Sequence, residues 1–323
     1  MADIWAHDSL YAFLRPYVDY CTRKSFRSLA VEGSFPRGGA VIITPNHCNT
    51  LMDALVVLQS DPDSFVFGAR ADLFVKPLLE RVLRFLKILP MARLRDGLAV
   101  QRRFAGIYRE VDDTLAAGVP FCMFPEGHHT PGYAVDPLRK GLLRIARASA
   151  EKRPTIVVPA GLSYDGFFRF RNRCTLRYGA PIDVNAFLED HALLDDAALL
   201  SAFNTELRSR IQELVFRPEK SRKKLLLAVL TSPLALLAAI LSAPMWIVSE
   251  IICNKLKDKA FGNSIRFFIK LVLTPLMVLF WALVLFLSMK WWIAAPLFIL
   301  FFFSYSAVYE WSALLKPVSE DIR

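Results

Sequence analysis

Short apolar runs alternate with helical stretches from residue 29 to about residue 185, and this predicts an α/β fold with a mostly parallel sheet and flanking helices. Two further observations extend that expectation. Hydrophobic residues make up 54% of the 323 residues, with a mean hydropathy of +0.34. The excess is concentrated, because residues 225–309 are almost continuously apolar. A C-terminal helical membrane region is therefore expected after the α/β domain. The boundaries read as an N-terminal amphipathic or membrane-surface helix over 1–28, an α/β domain over 29–218, and membrane-embedded helical hairpins over 219–323.

The first helix is expected over 8–28. Leu10, Phe13, Leu14, Tyr17, Val18 and Cys21 recur at helical spacing, with Arg15, Arg23, Lys24 and Arg27 at other positions. Such a helix either covers the core or lies on a membrane surface. Strands are expected at Ser28–Val31, Ala40–Thr44, Val119–Phe124, Thr155–Leu162 and Cys174–Tyr178. Helices are expected between them at 51–59, 76–87, 98–117 and 138–151, and residues 185–218 read as a polar, helical closing segment.

In the tail, residues 225–252 carry one formal charge, Glu250, and contain Pro233 and Pro244. As one helix this stretch would be about 42 Å long, against a hydrocarbon core of about 30 Å. Basic clusters flank it: Arg217, Lys220, Arg222, Lys223 and Lys224 before, and Lys255, Lys257, Lys259, Arg266 and Lys270 after. Positive residues prefer the cytoplasmic side, so a re-entrant hairpin or partly embedded helix is expected, not a single span. Residues 267–288 and 292–309 are two further apolar segments joined at Met289-Lys290-Trp291-Trp292, a tight hairpin anchor.

The formal net charge of +10 sits mainly on the first 224 residues and on the segments flanking the tail. It points to anionic lipid surfaces or phosphate-bearing substrates. No basic run interleaved with aromatics reads as a nucleic-acid motif. Five cysteines without a C-x-x-C spacing read as reduced thiols in a cytosolic compartment. No early basic-then-apolar pattern marks a signal peptide.

The apolar run Ala40-Val41-Ile42-Ile43 leads directly into Thr44-Pro45-Asn46-His47-Cys48-Asn49-Thr50-Leu51-Met52-Asp53. A strand that ends this way presents an imidazole at a sheet edge with a carboxylate behind it, equipment for taking a proton from an alcohol. On a regular helix, residues six apart lie about 120° from each other, so His47 and Asp53 cannot share a helical face. They can meet if His47 lies in the loop and a helix starts near Asn49 or Thr50. The carboxylate would then bond one ring nitrogen and leave the other basic. Thr50-x-x-Asp53 also has nearly the spacing of a capping box, so Asp53 could equally cap a helix.

Three further blocks share this character. In Phe124-Pro125-Glu126-Gly127-His128-His129, Pro125 stops a strand ladder, Gly127 is free to take a positive φ, and Glu126 is presented at the same sheet edge. Glu126 there could accept from substrate hydroxyls, anchor an arginine, or be a plain turn residue. Ile88-Leu89-Pro90-Met91-Ala92-Arg93-Leu94-Arg95 places arginines, which bind phosphate in bidentate fashion, after an apolar run. Val158-Pro159-Ala160-Gly161 is an apolar strand with a small-residue kink.

In this order, Asn46-His47…Asp53, Pro90-Met91-Ala92-Arg93, Phe124-Pro125-Glu126-Gly127 and Val158-Pro159-Ala160-Gly161 resemble the four motifs of the glycerolipid acyltransferases of glycerol-3-phosphate and 1-acylglycerol-3-phosphate. The resemblance covers about residues 30–185. Five residues separate His47 from Asp53, where that family usually has four. The longer spacing, and Lys255–Ser264 between apolar segments, are similar to the branch holding fungal glycerol-3-phosphate and dihydroxyacetone-phosphate acyltransferases. His128 and His129 stand where the family usually has a small hydroxyl residue and often arginine.

The resemblance implies a membrane-bound O-acyltransferase of phospholipid biosynthesis that needs no cofactor and takes acyl-CoA or acyl carrier protein as co-substrate. It implies His47 as general base and Asp53 as its orienting acid. Arg93 would bind the acceptor phosphate and Glu126 a glycerol hydroxyl or a neighbouring arginine, with Asn46 and Gly127 beside them and Lys140 as a further phosphate contact. Backbone N–H groups after His47 are the expected oxyanion donors. The implied partners are membrane lipids, the acyl donor and a phosphate-bearing acceptor, with no nucleic acid and no metal. The chain would be an integral or monotopic membrane protein with its catalytic domain on the cytoplasmic face. Three rival readings are a zinc hydrolase built from His47, Asp53, Glu126, His128 and His129, a thiol mechanism through Cys48, and a non-catalytic lipid-binding scaffold.

Overall fold

The computed structural model describes residues 3–63, 65–74, 76–92, 106–218 and 225–315. Its centre is an eight-stranded sheet: β1 (Ser28–Glu32), β2 (Ala40–Pro45), β3 (Val66–Arg70), β4 (Ile88–Met91), β5 (Phe121–Met123), β6 (Thr155–Tyr164), β7 (Arg173–Tyr178) and β8 (Ile182–Asp183). The order is β1-β7-β6-β2-β5-β3-β4, with β8 also pairing β6. From β6 to β4 every pair on this path is parallel. β7 and β8 run antiparallel to β6. The link from Tyr164 to Arg173 is too short for a crossover, which needs a dozen or more residues, so β7 folds straight back.

The helices are α1 (Ser9–Arg23), α2 (Leu51–Gln59), α3 (Pro77–Phe85), α4 (Ile107–Ala116), α5 (Gly141–Ala150), α6 (Val184–Asp190) and α7 (Asp196–Leu214). The tail adds α8 (Leu225–Leu241), α9 (Ala243–Lys255), α10 (Gly262–Ser288) and α11 (Trp291–Leu315). The expected first helix ends early. Arg23 closes it, Ser25 bonds back to the Cys21 carbonyl, and Ser28 already pairs with Arg173 in the sheet. β3 and β4 are strands the sequence pattern did not reveal. β4 carries Pro90 and lies at the sheet edge, where a missing N–H is tolerated. The first part of the helix expected over 98–117 falls outside the described residues, and Ile107–Ala116 is helical.

Every residue of β2 is buried, as a strand covered on both faces requires. Side chains alternate across it. Ala40 and Ile42 join a core with Val66, Phe121, Val157, Phe203 and Leu207. Val41 and Ile43 join a second core with Met52, Val56, Phe67, Val158 and, from the tail, Phe267. Gly161 has a steric reason: a Cβ there would meet Leu214 Cβ at 2.5 Å, so only glycine lets the end of α7 lie on β6.

In the tail, α8 and α9 meet at an 84° bend. Pro233 stays inside α8, whereas Pro244 sits in the first turn of α9, where its missing N–H costs nothing. The charge of Glu250 is met by Arg266 at 2.9 and 3.2 Å and by the Tyr309 hydroxyl at 2.8 Å. Two helical segments, Lys259–Ser288 and Trp291–Leu315, are long and apolar enough to cross a membrane. α1 is tied to this region through the Tyr17 hydroxyl, which donates to the Leu271 carbonyl at 2.8 Å, while its Leu10 and Phe13 are exposed.

Candidate active site

The carboxyl ends of the adjacent parallel strands β2 and β5 deliver the two strongest motifs to one edge of the sheet. After Pro45 the chain leaves the sheet, and Asn46 clips the departure. Its Nδ2 donates to the Leu162 carbonyl at 3.1 Å and its Oδ1 accepts from the Leu162 N–H at 2.6 Å. Asn46 is buried and spent on this clip.

His47 and Asp53 meet. Nδ1 of His47 lies 2.8 Å from Oδ2 of Asp53. With Nδ1–H donating, the basic lone pair is on Nε2, which has no partner among the described residues. Asp53 orients the imidazole, but the capping box does not form, since Thr50 makes no side-chain cap bond. The carboxylate reaches back from the first turn of α2 to accept from the N–H groups of Cys48 at 2.9 Å and Asn49 at 2.7 Å, as well as orienting the imidazole. The Cys48 and Asn49 amides, expected as oxyanion donors, are thereby occupied, and the His47 amide donates to Glu126. Thr50, at the N-cap, takes φ of +50°, which turns the chain sharply enough for Asp53 to face backwards.

Tyr164, at the end of β6, completes this group. Its hydroxyl donates to Asp53 Oδ1 at 2.8 Å, and both side chains are fully buried. Burial and the adjacent carboxylate push the tyrosine well above its ordinary range, so it stays a donor. Burial, with Asp53 beside it, also pushes the Cys48 thiol well up, which removes the thiolate that a thiol mechanism needs.

Glu126 is 2% exposed, and both its oxygens are engaged. Oε1 accepts from the His47 N–H at 2.9 Å and Oε2 from the Asp136 N–H at 3.1 Å. It braces the His47 loop. Burial raises its carboxyl to about 7, although the two N–H bonds work the other way. Gly127 takes φ of +70°, and a Cβ there would meet Arg139 Cγ at 3.2 Å. Arg139, not Lys140, is the cation at this turn: its Nε donates to the Glu126 carbonyl at 3.2 Å. Lys140 is exposed at the start of α5. Arg93 lies outside the described residues.

His128 and His129 diverge. His128 Nε2 pairs with Asp136 at 2.9 Å, and His129 Nε2 with Asp258 of the tail at 2.8 Å. Among the described residues no three His, Cys, Asp or Glu side chains converge on one point that could hold a metal. The His47 ring stacks on Phe124 at 4.2 Å.

Residues 28–163 match the family model described as Acyltransferase. The segment so matched is similar to that family over less than half of the chain. A curated relative, an uncharacterized acyltransferase of Schizosaccharomyces pombe, is 30% identical over 81 residues. That match covers 24% of this chain and only 12% of the relative's length. The crystal structure of the 1-acyl-sn-glycerophosphate (LPA) acyltransferase PlsC of Thermotoga maritima superposes with a TM-score of 0.46 at 22% identity, covering 68% of this chain and 87% of that one.

The ends of β2 and β6 thus bring together a Tyr164–Asp53–His47 relay whose outer nitrogen has no partner among the described residues. Sequence reasoning missed Tyr164 because it stands 111 positions from Asp53. Its one signal was its place at the end of the strand that carries Val158–Gly161. Arg139 was in view only as a neighbour of Lys140.

Proposed function

We propose that this chain is a membrane-bound O-acyltransferase that moves a fatty acyl group from acyl-CoA or acyl carrier protein to a hydroxyl of glycerol-3-phosphate or lysophosphatidic acid. The observation that carries the reading is the 2.8 Å contact between His47 Nδ1 and Asp53, which leaves Nε2 free to take a proton. His47 Nε2 removes the acceptor's hydroxyl proton as the oxygen attacks the thioester carbonyl. The tetrahedral intermediate expels the thiolate, which takes the proton back from the imidazolium. No acyl-enzyme forms. Asp53, held by Tyr164 and two backbone amides, fixes the ring and steadies its charged state. Glu126 holds the loop, and Arg93 and Lys140 bind the acceptor phosphate. The reading places the catalytic domain on the cytoplasmic face, anchored by the tail.

The test is purified protein in detergent with labelled acyl-CoA or acyl carrier protein and a panel of acceptors: glycerol-3-phosphate, dihydroxyacetone phosphate, lysophosphatidic acid and a lyso-aminolipid. Release of the free thiol carrier together with a labelled lipid is expected, and His47→Ala should lower the rate by about 10²–10⁴-fold. Equal activity in His47→Ala, or no transfer to any acceptor, overturns the reading.

A further inference from the structure

The loop that carries His47 is held by a second part of the chain, the turn that opens the tail's longest helix. Lys259–Phe261 form a short 3-10 turn, and Asp258 begins it, with Oδ1 accepting from the Ala260 N–H at 2.9 Å. The other oxygen, Oδ2, lies 2.8 Å from His129 Nε2. The His129 ring is packed edge-on between Phe261, at 5.0 Å, and His47, at 5.9 Å. His47 is thus walled by Phe124 on its face and by His129 at right angles to it.

Two more contacts from the same segment reach the loop. Ser264 Oγ lies 2.6 Å from Thr50 Oγ1, and Asn263 Nδ2 donates to Asn49 Oδ1 at 3.2 Å and to the Phe167 carbonyl at 2.6 Å. Asn263 and Ser264 are buried, so these are interior bonds that fix geometry. Thr50 is the residue with φ of +50°, a backbone state that persists only where its surroundings impose it. The clamp therefore falls on the strained point of the loop.

We propose that Asp258 is a positioning residue of the catalytic centre: it holds His129 against His47, while Asn263 and Ser264 set the loop from which His47 projects. This rests on the acyl-transfer reading. It makes the tail a part of the catalytic centre as well as an anchor. His47 must hold Nε2 toward the acceptor hydroxyl with Nδ1 on Asp53, and His129 blocks the alternative swing of the ring. A small misplacement of such a group costs catalysis while substrate binding survives.

The test uses the full chain in detergent. Asp258→Ala should lower kcat about 10-fold with less than about a twofold change in either KM. Asp258→Asn, which keeps an acceptor oxygen for the imidazole, should recover to within about threefold of wild type. His129→Ala combined with Asp258→Ala should be no slower than His129→Ala alone, because the two act as one unit. Lys257→Ala, exposed one position away, serves as the control at wild-type rate.

Carbethoxylation of the histidines, followed by mass spectrometry, gives a readout without turnover. Modification of His129 should speed at least about fivefold in Asp258→Ala at an unchanged thermal transition, as release of a held side chain requires. Wild-type kcat in Asp258→Ala, multiplying losses in the double variant, or unchanged modification rates overturn the proposal. If the wild-type protein transfers no acyl group, the acyl-transfer reading falls, and the modification rates still decide whether Asp258 holds His129.

Discussion

The loop after β2 and the helices of the tail answer opposite solvent problems. In the loop, a carboxylate with no exposed surface is surrounded by donors: the His47 ring, the Cys48 and Asn49 amides and the Tyr164 hydroxyl. Each bond is directional, and each donor would be orphaned by the loss of Asp53. In the tail, Leu226, Leu230, Leu279 and Leu287 are 70–79% exposed, and only 11% of the most apolar window of Lys259–Ser288 is buried by the rest of the chain. That surface is apolar without being shaped for a particular neighbour, as suits contact with lipid tails. The lesson is that single atoms matter in the loop, whereas only general character matters on the outer face of the tail.

The sharpest way to break this contrast is Asp53→Ala. It should reduce kcat by about 10³–10⁴-fold and destabilise the domain by about 3 kcal/mol, since buried donors lose their acceptor. Thiol-carrier release and thermal unfolding in detergent measure the two effects. Activity within tenfold of wild type would show that the relay is not the working unit.

Tyr164→Phe removes one hydroxyl and should cost about 10-fold in kcat and about 1.5–3 kcal/mol, the range for a hydrogen bond to a charged group. KM should not change.

Glu126 makes the comparison dependent on pH. Its carboxyl moves from 4.5 to about 7 on folding. Between those values the folded chain holds a proton that the unfolded chain has released, so stability should fall as pH rises from about 4.5 through about 7. Glu126→Gln should flatten that slope in denaturation series across the range. A slope that survives the substitution would assign it to another group.

At the far end, Leu279→Ile on the exposed face of α10 should change stability by less than about 0.5 kcal/mol and leave turnover alone. A larger loss would mean that this face has a specific partner.

Much of this arrangement was legible in the sequence, and the reasons differ by region. β2 could be read because Ala40–Thr44 is a continuous apolar run bounded by a motif. α2 matched its expected bounds of 51–59, since a period-3.6 pattern follows a turn. β3 and β4 could not, because Val66–Arg70 contains Gly68 and Ile88–Met91 contains Pro90, residues that speak against strands unless the neighbours are known. The His47–Asp53 pair was accessible because both members lie in one loop and one helical turn. Tyr164, Arg139 and Asp258 were not, because each arrives from another element and nothing local marks it. Glu126 shows the limit most clearly. Its place in a turn left a substrate contact, an arginine anchor and a plain turn role open, and the backbone amides of His47 and Asp136 that converge on it have no local signal.

All five thiols are buried, from Cys21 on the buried face of α1 to Cys253 in the tail. The native chain therefore offers a quiet background to maleimide reagents that do not cross lipid. A lone cysteine installed at Lys290, between the two candidate spans, or at Lys257, before the first of them, would be the accessible target in sealed vesicles. Whichever compartment holds the reagent that reaches it would give the sidedness of that turn, with no native residue removed to clear the signal.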